Sequence, residues 1–223
     1  MFKYLINLFF PKICCGCNIP LLEHENLLCD YCLNNLPITV FSIDDNPIFD
    51  VLCCYDKVNK ASYFLDFRKH SIVQSIIHKL KYKNSKQIGE FLGEMAVKKT
   101  PNVFSGVDII IPVPLHKKKL NKRGYNQSVC IAQGISKQIK KPIISNSLIK
   151  IKFTETQTHK NKYERGKNIK DSFKVVNTKD IIGLNVLVVD DVFTTGATVS
   201  ECIKVLSKYV NSITIFTLAY AVK

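Results

Sequence analysis

The chain has 223 residues, a length that buries roughly 70% of its unfolded surface and supports one α/β domain with a small appendage, which excludes two full domains. Lys and Arg outnumber Asp and Glu by 32 to 18, a net charge of +14 that favours polyanions such as pyrophosphate, nucleic acid or an acidic membrane face without choosing among them.

The first ten residues, MFKYLINLFF, are apolar but too short to span a bilayer, and no small-residue cleavage site follows. They predict an amphipathic lead-in helix, neither a signal peptide nor a membrane anchor. Ile13 stands before Cys14, where a lipoprotein signal needs a small residue. Nine cysteines, clustered early and without an export signal, predict a reducing cytoplasm in which thiols bind metal or stay buried. Cys14 with Cys17, and Cys29 with Cys32, form two C-x-x-C pairs, the arrangement that offers four thiolates tetrahedrally to zinc. Cys15 has the wrong spacing, and His24 is not needed once four cysteines close the shell. A unit of residues 1–45 is too small to order itself by burial, whereas structural zinc supplies on the order of 10–16 kcal/mol. The metal is therefore expected to be structural, not catalytic.

Residues 46–223 are expected to form the main domain. The run DVLCCY from Asp50 to Tyr55 predicts a short strand that carries Cys53 and Cys54 into the core. Ile72, Ile76, Ile77 and Leu80 mark one helix; Ile88, Phe91, Leu92 and Met95 mark another. His70 and His78 read as ordinary surface or half-buried residues. Val107 to Val113 predicts the first strand of the main parallel sheet, ended by Pro112 and Pro114. The basic stretch His116, Lys117, Lys118, Lys119, Lys122 and Arg123 follows, then a helix marked by Val129, Ala132, Ile135 and Ile139. Further strands are expected at Leu148–Phe153, Asp171–Val176, Val186–Val189 and Ile213–Leu218. Strands alternating with helices predict a doubly wound, mainly parallel α/β sheet.

The run VLVVDDVFTTGAT, Val186 to Thr198, changes residue class in the order a sugar-phosphate pocket needs. Val186 to Val189 are too apolar to have a solvent face and predict a buried parallel strand. Asp190 and Asp191 fall at its carboxyl end, where open α/β sheets bind ligands. Thr194, Thr195 and Gly196 make a turn, and Ala197 and Thr198 open a helix whose free N–H groups and dipole favour an anion. The acids, which repel phosphate, suit the donors of ribose hydroxyls. The stretch PVPLHKKKLNKRGYNQ leaves the same sheet edge and brings cations to it. The long polar segment Thr154 to Phe173 lacks apolar anchors and predicts a lid.

The Val186–Thr198 run resembles the phosphoribosyl-pyrophosphate signature of type I phosphoribosyltransferases. That resemblance implies that Asp190 and Asp191 hold the ribose 2′- and 3′-hydroxyls and that Thr194, Thr195, Gly196, Ala197 and Thr198 wrap the 5′-phosphate. It also implies that Pro114, Leu115, His116 and Lys117 form the pyrophosphate loop, and that Gln157, Arg165 and Asn168 belong to a flexible loop closing over the reacting carbon. Magnesium is the implied cofactor.

Together with the cysteine pairs, PVPLHKKKLNKRGYNQS and the ERGKN loop, these motifs resemble the ComF family of competence-associated, phosphoribosyltransferase-like proteins. RGYNQ, Arg123 to Gln127, is the most specific element. Asn18, where glycine is common, is a departure that affects only the zinc turn. The resemblance implies a cytoplasmic protein that handles incoming single-stranded DNA in natural transformation, with a competence helicase and other DNA-uptake proteins as partners. Lys118, Lys119, Lys122, Arg123 and Tyr125 are the nucleic-acid candidates; Tyr82 and Tyr163 also sit among cations, the mixture that single-strand binding uses. The alternative is an active phosphoribosyltransferase, a glycosyl-transferring enzyme, on an unidentified acceptor with no direct DNA role. The residues name no acceptor and no general base, so turnover stays open, as do the oligomeric state and any competition between DNA and the sugar phosphate.

Overall fold

A computed structural model describes residues 11–39, 46–83, 85–153 and 170–222; the expected lead-in helix lies outside them. Four strands, β1 (Val58–Phe67), β2 (Ile109–Pro112), β5 (Asn185–Phe193) and β6 (Ser212–Ala221), form one sheet in the order β1-β6-β5-β2. Every neighbouring pair is parallel. β5 is central, and Val186 to Val189 are all buried, as an apolar run without a solvent face requires.

Alternate residues of the strands enter two different cores. Ile110, Leu187, Val189, Phe216 and Leu218 pack with α3 (Ile72–Tyr82), α4 (Lys86–Lys99) and α6 (Gln127–Ile139). Ile109, Ile111, Val186, Val188, Ile213 and Ile215 pack with α2 (Pro47–Leu52) and α7 (Ala197–Leu206). Because a strand's side chains alternate between faces, helices cover both sides and the sheet is doubly wound. Among the described residues, no helix is long and apolar enough to cross a membrane.

Three local expectations are corrected. Asp50–Tyr55 is not a strand: Asn46 caps α2 by accepting from the Ile48 and Phe49 amides, and Pro47 starts the helix. Ile48 and Leu52, four residues apart, are its buried face, and Cys53 and Cys54 emerge exposed beyond it. The cap and proline favour a helix more strongly than the apolar run favours a strand. Second, the sheet's first strand in the chain is β1, whose Asn59, Lys60 and Asp66 hide the strand signal; it stands at the end of the strand order beside β6, with an isolated antiparallel bridge from Ile38 to Leu65 on its other edge. Third, β3 (Leu148–Lys150) and β4 (Phe173–Val175) do not join the parallel sheet but pair antiparallel as a separate two-stranded ribbon.

The cysteine segment, with the short helix α1 (Asp30–Asn34), is not a detached bead. Cys14, Cys29, Cys32, Leu28 and Leu36 share a core with α3 and α4, and Lys79 Nζ of α3 donates to the Cys14 carbonyl at 2.6 Å.

Candidate ligand site and cysteine knuckle

Asp190 and Asp191 lie inside β5, near its carboxyl end, with Asp190 in register with Thr217 of β6. Asp190 Oδ1 accepts from the Asp191 amide at 2.8 Å and from Ser128 Oγ at 3.1 Å. Asp191 Oδ2 pairs instead with Lys81 Nζ of α3 at 3.0 Å. Burial first, then the charge of Asp191, pushes Asp190 up to about 7, against the pull of the Asp191 amide, Lys81 and Ser128.

The segment Arg123–Ser128 holds this pair in place. Gly124, at φ 77°, ends α5 (Lys117–Arg123) in the left-handed region that favours glycine. The buried Tyr125 hydroxyl donates to the Leu80 carbonyl. Asn126 caps α6 by accepting from the Ser128 amide at 3.0 Å while donating to the Val113 carbonyl at 2.9 Å. Ser128 is thereby aimed at Asp190 from the first turn of α6. Ser128 and Lys81 both escape sequence reasoning: Ser128 had a signal in the helix-capping Asn before it, Lys81 had none.

On the far side of the acids, Gly196 (φ 77°) caps α7 without a side-chain bond. A Cβ there would lie 2.7 Å from the Phe193 ring and 3.2 Å from Val51. Thr194 is exposed, and Thr195, Ala197 and Thr198 are half-buried, around the free N–H groups of the first turn of α7.

Of the expected pyrophosphate loop, Pro114, Leu115 and His116 are half-buried and connect β2 to α5, which Lys117 opens. The basic stretch beyond Lys117 is therefore helix, capped by His116 Nδ1 accepting from the Lys118 amide at 3.2 Å. Burial lowers Lys119 to about 8, helped by Lys150, Arg123 and Lys81 and opposed by Asp191. Burial also lowers Lys150 of β3, with Asp190 opposing. Cations from α3, α5 and β3 thus share the field of the two carboxylates.

Gln157, Arg165 and Asn168, like Tyr163, lie outside the described residues. Lys118 and Lys122 are exposed, and Arg123 lies over the Tyr82 ring at 5.2 Å. Tyr125 is corrected as a stacking ring: it is only 7% exposed, because its ring packs into the core beneath α3.

The sulfurs of Cys14, Cys17, Cys29 and Cys32 all lie within 4.8 Å of one another. Cys17 and Cys29 are 3.7 Å apart, matching the edge of about 3.8 Å that a tetrahedron of Zn–S bonds near 2.3 Å has. The Gly16 and Cys29 amides both donate to Cys14 Sγ at 3.3 Å. Burial alone would raise the Cys14 thiol, but backbone donors outweigh it and bring it to about 6, whereas burial and the neighbouring thiols push Cys32 up. A Cβ on Gly16 would lie 2.7 Å from Cys32 Sγ. Asn18 adopts φ 67°, a conformation that asparagine tolerates better than most residues. Glu25 accepts from the Leu22 and Asp30 amides at 2.7 and 2.8 Å and folds the loop between the pairs. Cys15 is buried nearby but outside the tetrad. The four sulfurs are a site able to hold a structural metal ion such as zinc.

No family model matches the sequence. Competence protein F of Haemophilus influenzae is 36% identical over 116 residues, 51% of this chain and 51% of that protein. The DNA utilization protein YhgH of Salmonella typhimurium is 29% identical, covering 59% of each. Competence protein ComFC of Bacillus subtilis is 29% identical over 40% of this chain and 34% of its own length. The chain therefore spans about half the length of the curated relatives it matches. Among solved structures, glutamine phosphoribosylpyrophosphate amidotransferase from B. subtilis overlaps 62% of this chain and 30% of its own at a TM-score of 0.43 and 16% identity. Adenine phosphoribosyltransferase from Thermoanaerobacter pseudethanolicus overlaps 62% of this chain and 83% of its own at 0.38 and 17%.

Proposed function

We propose that this chain, which its relatives group with the ComF family, binds phosphoribosyl pyrophosphate between the ends of β5 and α7 and acts in the handling of incoming single-stranded DNA during natural transformation. The observation that carries the reading is the pairing of two adjacent carboxylates on a buried strand with a glycine-turned helix N-terminus three residues beyond Phe193. Asp190 and Asp191 supply acceptors for two vicinal hydroxyls; the first turn of α7, with Thr194, Thr195 and Thr198, supplies donors for a phosphate. Lys119 and Lys150 neutralise negative charge at the other end of the sugar. The hard oxygens of Asp190 and Asp191 suit a magnesium ion brought in with the pyrophosphate, which would screen its charge.

The DNA half of the proposal draws on the relatives' names, competence protein F and DNA utilization protein, and on the exposed Lys118 and Lys122 of α5 beside Arg123 and Tyr82. Cations flanking an exposed ring suit a single strand's backbone and bases. The four-cysteine knuckle, loaded with zinc, buttresses α3. A cytoplasmic location, and contact with a helicase or other uptake proteins, belong to the same reading.

A second reading is favoured by the cations around the carboxylates. Lys81, Lys119 and Lys150 are what a leaving pyrophosphate requires, so the chain would transfer the phosphoribosyl group to a nucleophile.

Calorimetry decides the ligand. Phosphoribosyl pyrophosphate with magnesium should bind the wild type and not Asp191→Asn; equal heats for both proteins would end the assignment. Released pyrophosphate separates transfer from binding alone. Single-strand affinity that does not change between roughly 50 and 200 mM salt would remove the DNA role.

A further inference from the structure

We propose that Lys81 is a specificity-determining residue that admits a ribose phosphate to the acid pair only when the ligand also carries a pyrophosphate; this rests on the reading of Asp190 and Asp191 as acceptors for the sugar hydroxyls. Lys81 lies outside the signature and the basic stretch, yet among the described residues it is the cation that closes on either acid, at 3.0 Å. Both partners are largely covered, with side-chain exposures of 24% for Lys81 and 15% for Asp191. The pair is therefore far less screened than an ordinary surface ion pair, and separating it without a replacement leaves a charge poorly solvated.

The backbone that carries Lys81 has little freedom. Leu80, one residue before it, is fully buried and its carbonyl accepts the Tyr125 hydroxyl. Lys79, two residues before it, is tied to the Cys14 carbonyl of the knuckle at 2.6 Å. Only the flexible four-carbon side chain of Lys81 can move.

A sugar hydroxyl donating to Asp191 competes with that ammonium for the same carboxylate. Hydroxyls are neutral and cannot compensate Lys81 for the partner it loses. Lys119 and Lys150 stand in the same neighbourhood, so a displaced ammonium also moves among like charges. A pyrophosphate on the anomeric carbon provides a new anionic partner. The phosphate of ribose 5-phosphate lies at the opposite end of the sugar, against α7, and does not. Entry of the diol is thus coupled to the charge at the anomeric carbon.

The test compares binding of phosphoribosyl pyrophosphate and of ribose 5-phosphate, in magnesium buffer, to full-length wild type, Lys81→Met and Lys81→Arg. Wild type should prefer the pyrophosphate by roughly tenfold or more, the scale of one charge-assisted contact. Lys81→Met should bind the pyrophosphate more weakly and ribose 5-phosphate more tightly, collapsing the ratio, while Lys81→Arg should keep most of it. A general loss of fold would lower the melting temperature and weaken both ligands together. An unchanged ratio in a Lys81→Met protein that keeps the wild-type melting temperature, with the wild type still binding the pyrophosphate, overturns the role of Lys81 and leaves the ligand reading intact. Binding of neither ligand to the wild type overturns both.

Discussion

Ser128 donates to Asp190 across 3.1 Å, joining the first turn of α6 to the middle of the acid pair. Through that bond the RGYNQS segment and the VVDD strand, more than sixty positions apart, become one site. The hydroxyl stabilises the charged form of Asp190 and opposes the burial that raises it.

Asp190 stands near 7 instead of its ordinary 3.8. The folded state therefore holds a proton that the unfolded chain has released, and stability falls as pH rises from about 4 to about 7. Asp190→Asn keeps an acceptor for Ser128 and for the Asp191 amide while removing the buried charge. Its melting temperature should exceed the wild type's at pH 8 by roughly 3–6 °C, with little difference at pH 4. Thermal melts at the two pH values check this, and a gain of equal size at both would refute it.

Sugar hydroxyls need the ionised carboxylate, so affinity for phosphoribosyl pyrophosphate should rise with pH through about 7, where Asp190 titrates. Ser128→Ala removes a donor to the charged form and should move the midpoint of that rise to higher pH. A pH series of binding constants measures it; a midpoint that stays put would show that Ser128 does not tune the acid.

Gly196 combines φ 77° with a Cβ position 2.7 Å from the Phe193 ring. Gly196→Ala should cost on the order of 2 kcal/mol from backbone strain and crowding, seen as a drop of roughly 4–8 °C in melting temperature. It should also weaken phosphate binding, because the turn sets the direction of the α7 amides. A melting temperature within a degree of wild type would show that the turn yields cheaply.

The knuckle shares its core with α3 and α4, so metal loss should be felt beyond the first forty residues. Chelation or Cys29→Ser should destabilise the chain, and Gly16→Ala, crowding Cys32 Sγ at 2.7 Å, should lower the bound metal per chain. Metal content by atomic absorption alongside melting curves gives the answer. Purified wild-type protein without bound zinc would defeat the zinc assignment.

Lys118 and Lys122 point to solvent from α5, whereas Tyr125 is buried. Lys118→Ala and Lys122→Ala should each reduce the salt dependence of single-strand binding by about one phosphate contact. Tyr125→Phe should leave it unchanged and cost only the bond to the Leu80 carbonyl. Loss of DNA binding in Tyr125→Phe with an unaltered fold would give that hydroxyl a direct role.

The sequence by itself determined whatever local pattern and residue chemistry encode. The apolar run at Val186–Val189 could only be a buried parallel strand, the stripes at Ile72–Leu80 and Ile88–Met95 only packed helices, and two C-x-x-C pairs converge because their spacing suits one metal. The signals failed where local rules compete or are weak: Asn46 and Pro47 make a helix of an apolar run that reads as strand, and the polar residues of β1 disguise its strand character. Only the tertiary structure decided which distant side chains meet the acids. Lys81, Ser128 and Lys150 lie on three separate elements, Lys81 and Lys150 outside any motif and Ser128 at the end of the RGYNQS run, and Tyr125 looks like an exposed ring until the chain closes over it. Packing of helices on both sheet faces sets those distances, and with them the burial and charge balance that make Asp190 and Asp191 different from each other.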